Sequence, residues 1–366
     1  MSLKKDNFSS AEKKYMKLAI NLANQNTGFT GPNPSVGCVV VKNKEIVSFG
    51  VTNINGRPHA EAVALNKNKN LLKKSDIYIT LEPCSHYGKT PPCTNKITRS
   101  RIRKVTYSIN DSDSRSSNKS KKILNSKNII VKSGLMKNKV KQLYKKYIFS
   151  KKNNLPYVVG KLACSSNYFI FNNKEYISNN FSRKVAHLLR SKHQAILTSY
   201  KTINQDNPKL NCRISGLEKF SPIRIILDKN LKLKINTFVI NTSKMTKTYI
   251  YHNSNNQKKL NKLKKKGVIL IKKKANNNNN FDILTILKDI YKKGIQSLLI
   301  EAGMLLTQQM LNENFVNEFY LFKSNKIINS KNKINVLGIK SILNTKYKNK
   351  KIINRYLKND QLIHYS

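Results

Sequence analysis

No apolar run in the sequence approaches the ~18 residues that a membrane-spanning helix needs, which excludes a helical membrane protein. The opening stretch, MSLKKDNFSSAEKKYM, has no apolar segment ahead of a small-residue cleavage site, which argues against a secretory signal and for the cytoplasm. Cysteine is sparse and odd in number: Cys38, Cys84, Cys93, Cys164 and Cys212. In a chain without an export signal this excludes a disulfide framework and leaves thiols. Acidic residues are few, with 18 Asp+Glu against 70 Lys+Arg and a formal net charge of +52. Such a balance ordinarily signals a polyanion partner. Here, however, the lysines are spread over the whole length among many asparagines and isoleucines, including ANNNNNF at 275–281, whereas a binding surface concentrates its charge. The pattern reads as compositional drift, with loose, salt-sensitive RNA affinity as a side effect and no specific nucleic-acid or membrane partner.

What is present fits two packed domains. At 366 residues the chain exceeds one usual domain, and a hydrophobic share of 39% supplies the cores. Ser9 to Glu12 matches a capping box, and Tyr15, Leu18, Ala19, Leu22 and Ala23 recur at helical spacing, so the first element is an amphipathic helix ended by TGPNPS. VGCVVV and IVSFGVT, joined around NKNKE, predict a strand pair, with Cys38 a small buried hydrophobe. A short helix begins near His59, DIYITLEP predicts a strand, CTNKITRSRI a helix and KVTYSI a strand. That order describes a three-layer α/β domain, whose active sites collect at strand and helix ends. Between 134 and 157 a helical pattern runs into a polar, proline-marked turn, so the domains are expected to span 1–150 and 151–366. Beyond the turn, YVVGKLA, AILTS, IRIILD and SLLIEAG predict strands interleaved with helices in a second α/β domain.

Chemistry concentrates in PHAEAVAL at 58–65 and LEPCSHYGKTPPC at 81–93. His59, Cys84 and Cys93 form a His/Cys/Cys set, which suits a tetrahedral catalytic zinc with its fourth position open to water. Glu61 need not bind metal, because a helix start can aim it and His59 into one cleft. There its carboxylate can shuttle a proton from activated water to a leaving amine. An ordered His-x-Glu, Pro-Cys and further Cys is the pattern of zinc-dependent nucleobase deaminases. Deaminases of cytidine or tRNA adenosine usually have two residues between the cysteines, whereas here eight intervene, SHYGKTPP. The ammonium of Lys89, in that loop, suits a phosphate. In the second half, LLIEAGMLLTQQML ends a strand at Glu301, turns at Gly303 and starts a helix, whose N–H groups can face a phosphate of a nucleotide cofactor.

GPNPSVGCVVV, GRPHAEAVAL and TLEPCSHYGKTPPC resemble the deaminase domain of the bifunctional riboflavin biosynthesis family, a pyrimidine deaminase fused to a reductase. The likeness covers nearly the whole chain and is most specific in the first 150 residues. It implies a cytidine-deaminase-like domain followed by a dihydrofolate-reductase-like one, with Zn2+ and NADPH as cofactors. In the first reaction water replaces the 2-amino group of a diaminopyrimidinone that carries a ribosylamino phosphate; in the second NADPH reduces the ribosyl group to ribityl. The resemblance further implies that His59, Cys84 and Cys93 hold zinc and that Glu61 is the general acid and base. Asn33, His86, Lys89 and Asp111 are implied as contacts to the deaminase substrate. LLRSKHQAILTSYKTINQDNPKLNCR at 188–213 matches a reductase segment. From the family come Cys164, Tyr176, Thr202, Asp206 and Gly303 as cofactor contacts, and Arg190, Leu210, Arg213 and Glu301 as substrate contacts. Arg190 and Arg213 suit the substrate phosphate chemically. A homo-oligomer is implied by the resemblance alone.

The second half also departs from the family. Where the family has Ser-x-Asp-Gly-Arg after KLA, this chain keeps Ser165 and loses the acid, glycine and arginine. Lys174 replaces a substrate-binding serine, and Tyr176 replaces a tryptophan that packs on the cofactor. Tyr168 in place of glycine is expected to forfeit any left-handed turn, and the reductase to be slow, altered or lost. A deaminase that keeps a decayed reductase as a dimerisation module is therefore the alternative. A nucleic-acid deaminase leaves the long inter-cysteine loop and the second domain unexplained. A noncatalytic RNA-binding protein predicts no zinc, against about one zinc per chain for the enzyme.

Overall fold

Ser9 opens the first helix, Ser10–Gln25, with a reciprocal cap: its hydroxyl accepts the Glu12 N–H and the Glu12 carboxylate accepts the Ser9 N–H. A cap of this kind stabilises a helix by about 1 kcal/mol. The computed structural model describes residues 8–171, 176–276, 280–329, 333–354 and 357–366. It divides into two compact units, Met1–Asn153 and Asn154–Ser366.

In the first unit, β1 (Gly37–Lys42), β2 (Glu45–Val51), β3 (Asp76–Leu81), β4 (Lys104–Ile109) and β5 (Ile130–Ser133) form one sheet, ordered β2-β1-β3-β4-β5. β1 is antiparallel to β2 and β3, and β3, β4 and β5 are parallel. β1 is apolar without alternation because both of its faces are covered. Cys38 and Val40 join the cluster of Ala60, Ile97 and Val105, while Val39 and Val41 join that of Met16, Ala19 and Leu22. Helices cover the sheet closely enough to require glycine beneath them. A Cβ on Gly37 would lie 1.8 Å from Ala19 O, and one on Gly50 would lie 2.3 Å from Ala60 O, at the short helix Ala60–Ala64. The helices Lys137–Leu143 and Lys145–Asn153 pack into this unit: Tyr144 Oη donates to Ser35 O at 3.0 Å and Tyr147 Oη to Asp111 Oδ1 at 2.7 Å.

The second unit contains β6 (Tyr157–Cys164), β7 (Phe169–Phe171), β8 (Ala195–Ser199), β9 (Ile223–Leu227), β10 (Thr248–His252) and β11 (Ile269–Lys272). It continues with β12 (Ser297–Ile300), β13 (Glu318–Lys323), β14 (Lys333–Asn335), β15 (Lys350–Ile353) and β16 (Gln361–Tyr365). The main sheet runs β11-β10-β9-β8-β12-β6-β13-β16-β15, and β14 pairs with β7 apart from it. Neighbours from β11 to β13 are parallel, while β16 is antiparallel to β13 and β15. After β6 the chain passes over one position to β8 and works outward, and β12 later fills the gap. The C-terminal ends of β8 and β12 therefore adjoin, in the kind of crevice that open α/β sheets use for ligands. Seven of this unit's strands, β7, β10, β11, β13, β14, β15 and β16, lie outside the segments expected from the sequence. β15 reads KKII with no fully buried residue and so leaves no apolar run by which a strand is recognised, whereas β11 follows Val268 with ILIK, a short apolar run that the sequence reading did not single out.

Candidate active sites

His59 is the N-cap of Ala60–Ala64, Cys84 lies three residues past β3, and Cys93 opens the helix Cys93–Arg99. Their ligand atoms all fall within 4.8 Å of one another. His59 Nδ1 is 3.6 Å from Cys84 Sγ and 3.4 Å from Cys93 Sγ. With bonds to zinc of ~2.3 Å for sulfur and ~2.0 Å for nitrogen, a tetrahedral angle separates N and S ligands by about 3.5 Å. The donor set therefore fits the ion in both chemistry and spacing. It is also electrostatically prepared: a hydrogen bond from the Cys93 thiol, with His59 and the Cys93 N–H at 3.2 Å, holds Cys84 down at about 4 against the effect of burial. The same contact, with burial, pushes Cys93 up.

Glu61 sits in the first turn of Ala60–Ala64, 4% exposed. Burial, then the neighbouring Cys84 thiolate, pushes its carboxyl up to about 7, with His59 opposing. A carboxyl balanced near neutrality can both accept and return a proton.

The other residues expected to contact the deaminase substrate have these partners. Asn33 Nδ2 donates to Gly56 O at 3.0 Å. His86 directs Nδ1 at Ser116 Oγ, 2.8 Å away, and Lys89 is exposed in the loop between the cysteines. Asp111 is buried past β4, its Oδ1 accepting the Asp113 N–H at 3.0 Å and the Tyr147 hydroxyl at 2.7 Å. Burial pushes its carboxyl up. Glu82, which the sequence analysis passed over, organises this side. Its Oε2 accepts the N–H groups of Asp111 (3.1 Å) and Asn118 (3.0 Å), and its Oε1 accepts the N–H and hydroxyl of Ser120 (3.1 and 2.9 Å). The signal was an acid closing an otherwise buried strand, since a buried carboxylate must be hydrogen-bonded.

In the second unit, Gly303 is the N-cap of Met304–Asn312 with φ −66° and ψ 174°, a conformation open to any residue, and a Cβ there would meet Thr202 Oγ1 at an ordinary 3.7 Å. The turn expected at Gly303 thus makes no demand for glycine; its N–H donates to Thr202 Oγ1 at 3.2 Å. Thr202 and Asp206 share the helix Tyr200–Asp206 after β8, with Asp206 exposed at its end. Cys164 is fully buried in the core with Leu321 and Ile363, and burial pushes its thiol up to about 12. Tyr176 is exposed, with the Arg183 guanidinium 4.5 Å from its ring centre.

The residues expected to bind the reductase substrate divide into a paired core and a looser rim. Arg190 grips Glu301 with both edges, Nε to Oε1 at 2.6 Å and Nη2 to Oε2 at 2.8 Å. Lys161, which was not anticipated, lies 3.7 Å from Glu301 Oε2. Burial opposes the charge on Glu301, but Arg190 and Lys161 outweigh it and hold the carboxyl down at about 2. Arg190 is therefore committed to Glu301 here, with Nη1 donating to Asn211 O at 3.2 Å. Arg213 is exposed and donates to Asn211 Oδ1 at 2.8 Å. Leu210 is buried at φ 50°, and the buried Arg224 holds the preceding carbonyl, Lys209 O, at 3.0 Å.

The expected loss of a left-handed turn at Tyr168 is corrected by the structure, which keeps the turn at φ 61°. Asn167, standing where the family has an acid, accepts the Ser165 hydroxyl at 2.6 Å and the Ile328 N–H at 3.2 Å, and donates to Ile328 O at 3.1 Å. The Val336 N–H donates to Tyr168 O at 2.9 Å. Lys340 and Lys323 lie 4.1 and 4.6 Å from the tyrosine ring centre. These contacts offset a left-handed cost of about 1 kcal/mol. Lys174 lies outside the described residues.

Comparison with known proteins places these two sites in context. Residues 9–109 match the cytidine and deoxycytidylate deaminase zinc-binding region, and residues 170–354 match the RibD C-terminal domain. The chain is 36% identical over 352 residues to the riboflavin biosynthesis protein RibD of Aquifex aeolicus, an alignment covering 94% of this chain and 95% of that one. The solved structure of Acinetobacter baumannii RibD, form 2, aligns over 97% of this chain and 98% of its own with a TM-score of 0.82; at 24% identity it is a likeness of fold. The diaminohydroxyphosphoribosylaminopyrimidine deaminase/5-amino-6-(5-phosphoribosylamino)uracil reductase of Thermotoga maritima aligns over 97% and 98%, with a TM-score of 0.77 at 26% identity.

Proposed function

The chain belongs to the RibD family of riboflavin biosynthesis proteins, and from that premise we propose how its own residues divide the work between two reactions. The protein is a bifunctional enzyme with a deaminase and a reductase domain, using zinc for the first reaction and NADPH for the second. Its deaminase converts 2,5-diamino-6-(5-phosphoribosylamino)pyrimidin-4(3H)-one by hydrolysis, and its reductase then turns the ribosyl group into ribityl. The reading in which only the deaminase survives is not supported: residues 170–354 match the reductase family, and the Arg190–Glu301 pair is intact.

We assign the deamination to residues 1–150, with His59, Cys84 and Cys93 holding zinc. Zinc held by these residues would supply the Lewis acidity that makes water nucleophilic near neutral pH. Glu61 would take a proton from the attacking water and deliver it to the departing 2-amino nitrogen. Asn33, His86, Lys89 and Asp111 orient the pyrimidine and its ribosyl phosphate. Reduction is assigned to residues 151–366. Thr202, Asp206, Gly303, Cys164 and Tyr176 contact NADPH, and Arg190, Leu210, Arg213 and Glu301 contact the substrate. We also propose a cytoplasmic homo-oligomer without a specific nucleic-acid partner, which sedimentation with and without RNA at rising salt tests.

The observation that carries the assignment is the pair of N···S separations, 3.4 and 3.6 Å, beside a buried Glu61. The test is mass spectrometry of the products formed from the diaminopyrimidinone with and without NADPH. Deaminated product without cofactor and ribityl product with it are expected. Failure to deaminate by zinc-loaded protein would overturn the first assignment, and failure to reduce would overturn the second.

A further inference from the structure

Gly88 lies in the loop between Cys84 and Cys93, and the place a Cβ would take there is faced by two side-chain nitrogens from different parts of the chain. Arg57 Nη2 is 3.5 Å from that place and His86 Nε2 is 3.9 Å from it. Because His86 Nδ1 is engaged with Ser116 Oγ at 2.8 Å, Nε2 is the ring nitrogen turned to it. Arg57 directly precedes Pro58 and His59, and its Nη1 donates to Thr90 Oγ1, so the guanidinium is fastened across the loop. Lys89 adjoins Gly88 and is exposed. Among the described residues neither Arg57 nor Lys89 has a carboxylate partner. A guanidinium without a carboxylate partner and an imidazole nitrogen facing a position without a side chain, with an exposed lysine next in sequence, suit a phosphate monoester, which the planar guanidinium can bind through two N–H groups.

We propose that Arg57 is a specificity-determining residue of the deamination: with His86 and Lys89 it binds the 5-phosphate of the substrate over Gly88. The inference rests on the first unit being the deaminase. It also ties recognition of the phosphate to the segment that carries a metal ligand, because Arg57 and His59 are two residues apart.

The test uses the full-length, zinc-loaded protein with the phosphorylated substrate and with its dephosphorylated counterpart. R57Q is expected to raise KM for the phosphorylated substrate about tenfold or more, the size of a lost charge-assisted hydrogen bond. Its kcat and its KM for the dephosphorylated compound are expected to stay within about twofold. G88V fills the same place without altering any charge and is expected to raise KM for the phosphorylated substrate alone. Ribose 5-phosphate should inhibit turnover of the dephosphorylated compound, and R57Q should weaken that inhibition about tenfold. An unchanged KM, or an equal rise with both substrates, would overturn the proposal. Loss of zinc or of kcat with KM unmoved would instead make Arg57 a support for His59, which also overturns it. Absence of deamination in the unmodified protein is a separate result, and it removes the deaminase reading together with this inference.

Discussion

The two units differ in how their charges are settled before a ligand arrives. In the first, a buried carboxyl stands next to a thiolate, and both depart from their ordinary protonation behaviour: Glu61 is pushed up to about 7 and Cys84 is held down at about 4. In the second, Glu301 is already answered by Arg190 and Lys161. The first site holds an electrostatic tension that a divalent cation relieves, whereas the second holds a neutralised pair that shapes a crevice. A metal centre depends on side-chain atoms correct to a few tenths of an ångström, so its residue types are not exchangeable. A crevice built partly from backbone, such as the Gly303 N–H or the turn at Tyr168, accepts unusual side chains as long as the backbone path survives.

The sharpest way to break this contrast is Glu61→Gln. It should lower deamination by ~10²–10⁴ while zinc stays bound. Reduction of supplied deaminated intermediate should be unaffected. Metal analysis and product mass spectrometry read both halves, and normal deamination would remove Glu61 from the mechanism. Cys93→Ala should abolish zinc binding and destabilise the first unit, leaving reduction in place; zinc retained at one per chain would sink the ligand assignment.

Glu301→Gln tests the settled pair. It leaves two buried cations facing a neutral amide and should destabilise the second unit by about 3 kcal/mol. The same carboxylate sets a pH dependence. Its folded value of about 2 lies below the ordinary 4.5, so its contribution is complete above about pH 4.5 and is lost as pH falls toward 2. Integrated over that window it amounts to about 3 kcal/mol. Calorimetry from pH 6 to 2.5 should show this loss in the unmodified protein and a flatter curve in Glu301→Gln; parallel curves would contradict the pairing. The smallest effect is at Tyr168. Tyr168→Gly should be more stable than Tyr168→Ala by about 1 kcal/mol, since both lose the ring and only alanine keeps the strain. Equal stabilities would show that the turn relaxes.

Much of the first unit was legible because its signals are local. The Ser9–Glu12 cap, the unbroken apolar run of β1 and the His59, Glu61, Cys84, Cys93 set each lie within short stretches whose chemistry names them. Glu82, Lys161 and Arg224 escaped because each is a charged residue at or inside a strand, and only the fold reveals the partners that make such burial tolerable. Tyr168 was misjudged for a related reason. Its N–H donates to Ser165 O and its carbonyl accepts the Val336 N–H, while the Asn167 side chain beside it bonds to Ile328; Val336 and Ile328 lie far along the chain, so local propensity alone pointed the other way. Arg190 and Glu301 were each assigned to the substrate, and their mutual contact across 111 positions could not be read from either segment.

The carboxylate of Glu82 has a kinetic meaning for the loop it holds. The Asp111, Asn118 and Ser120 amides lie outside regular strands, yet all three point at one buried acceptor at the end of β3. Their protons can reach solvent only when that end of the sheet opens. Deuterium uptake there should therefore follow the slow clock of β3 and not the fast clock of an exposed loop.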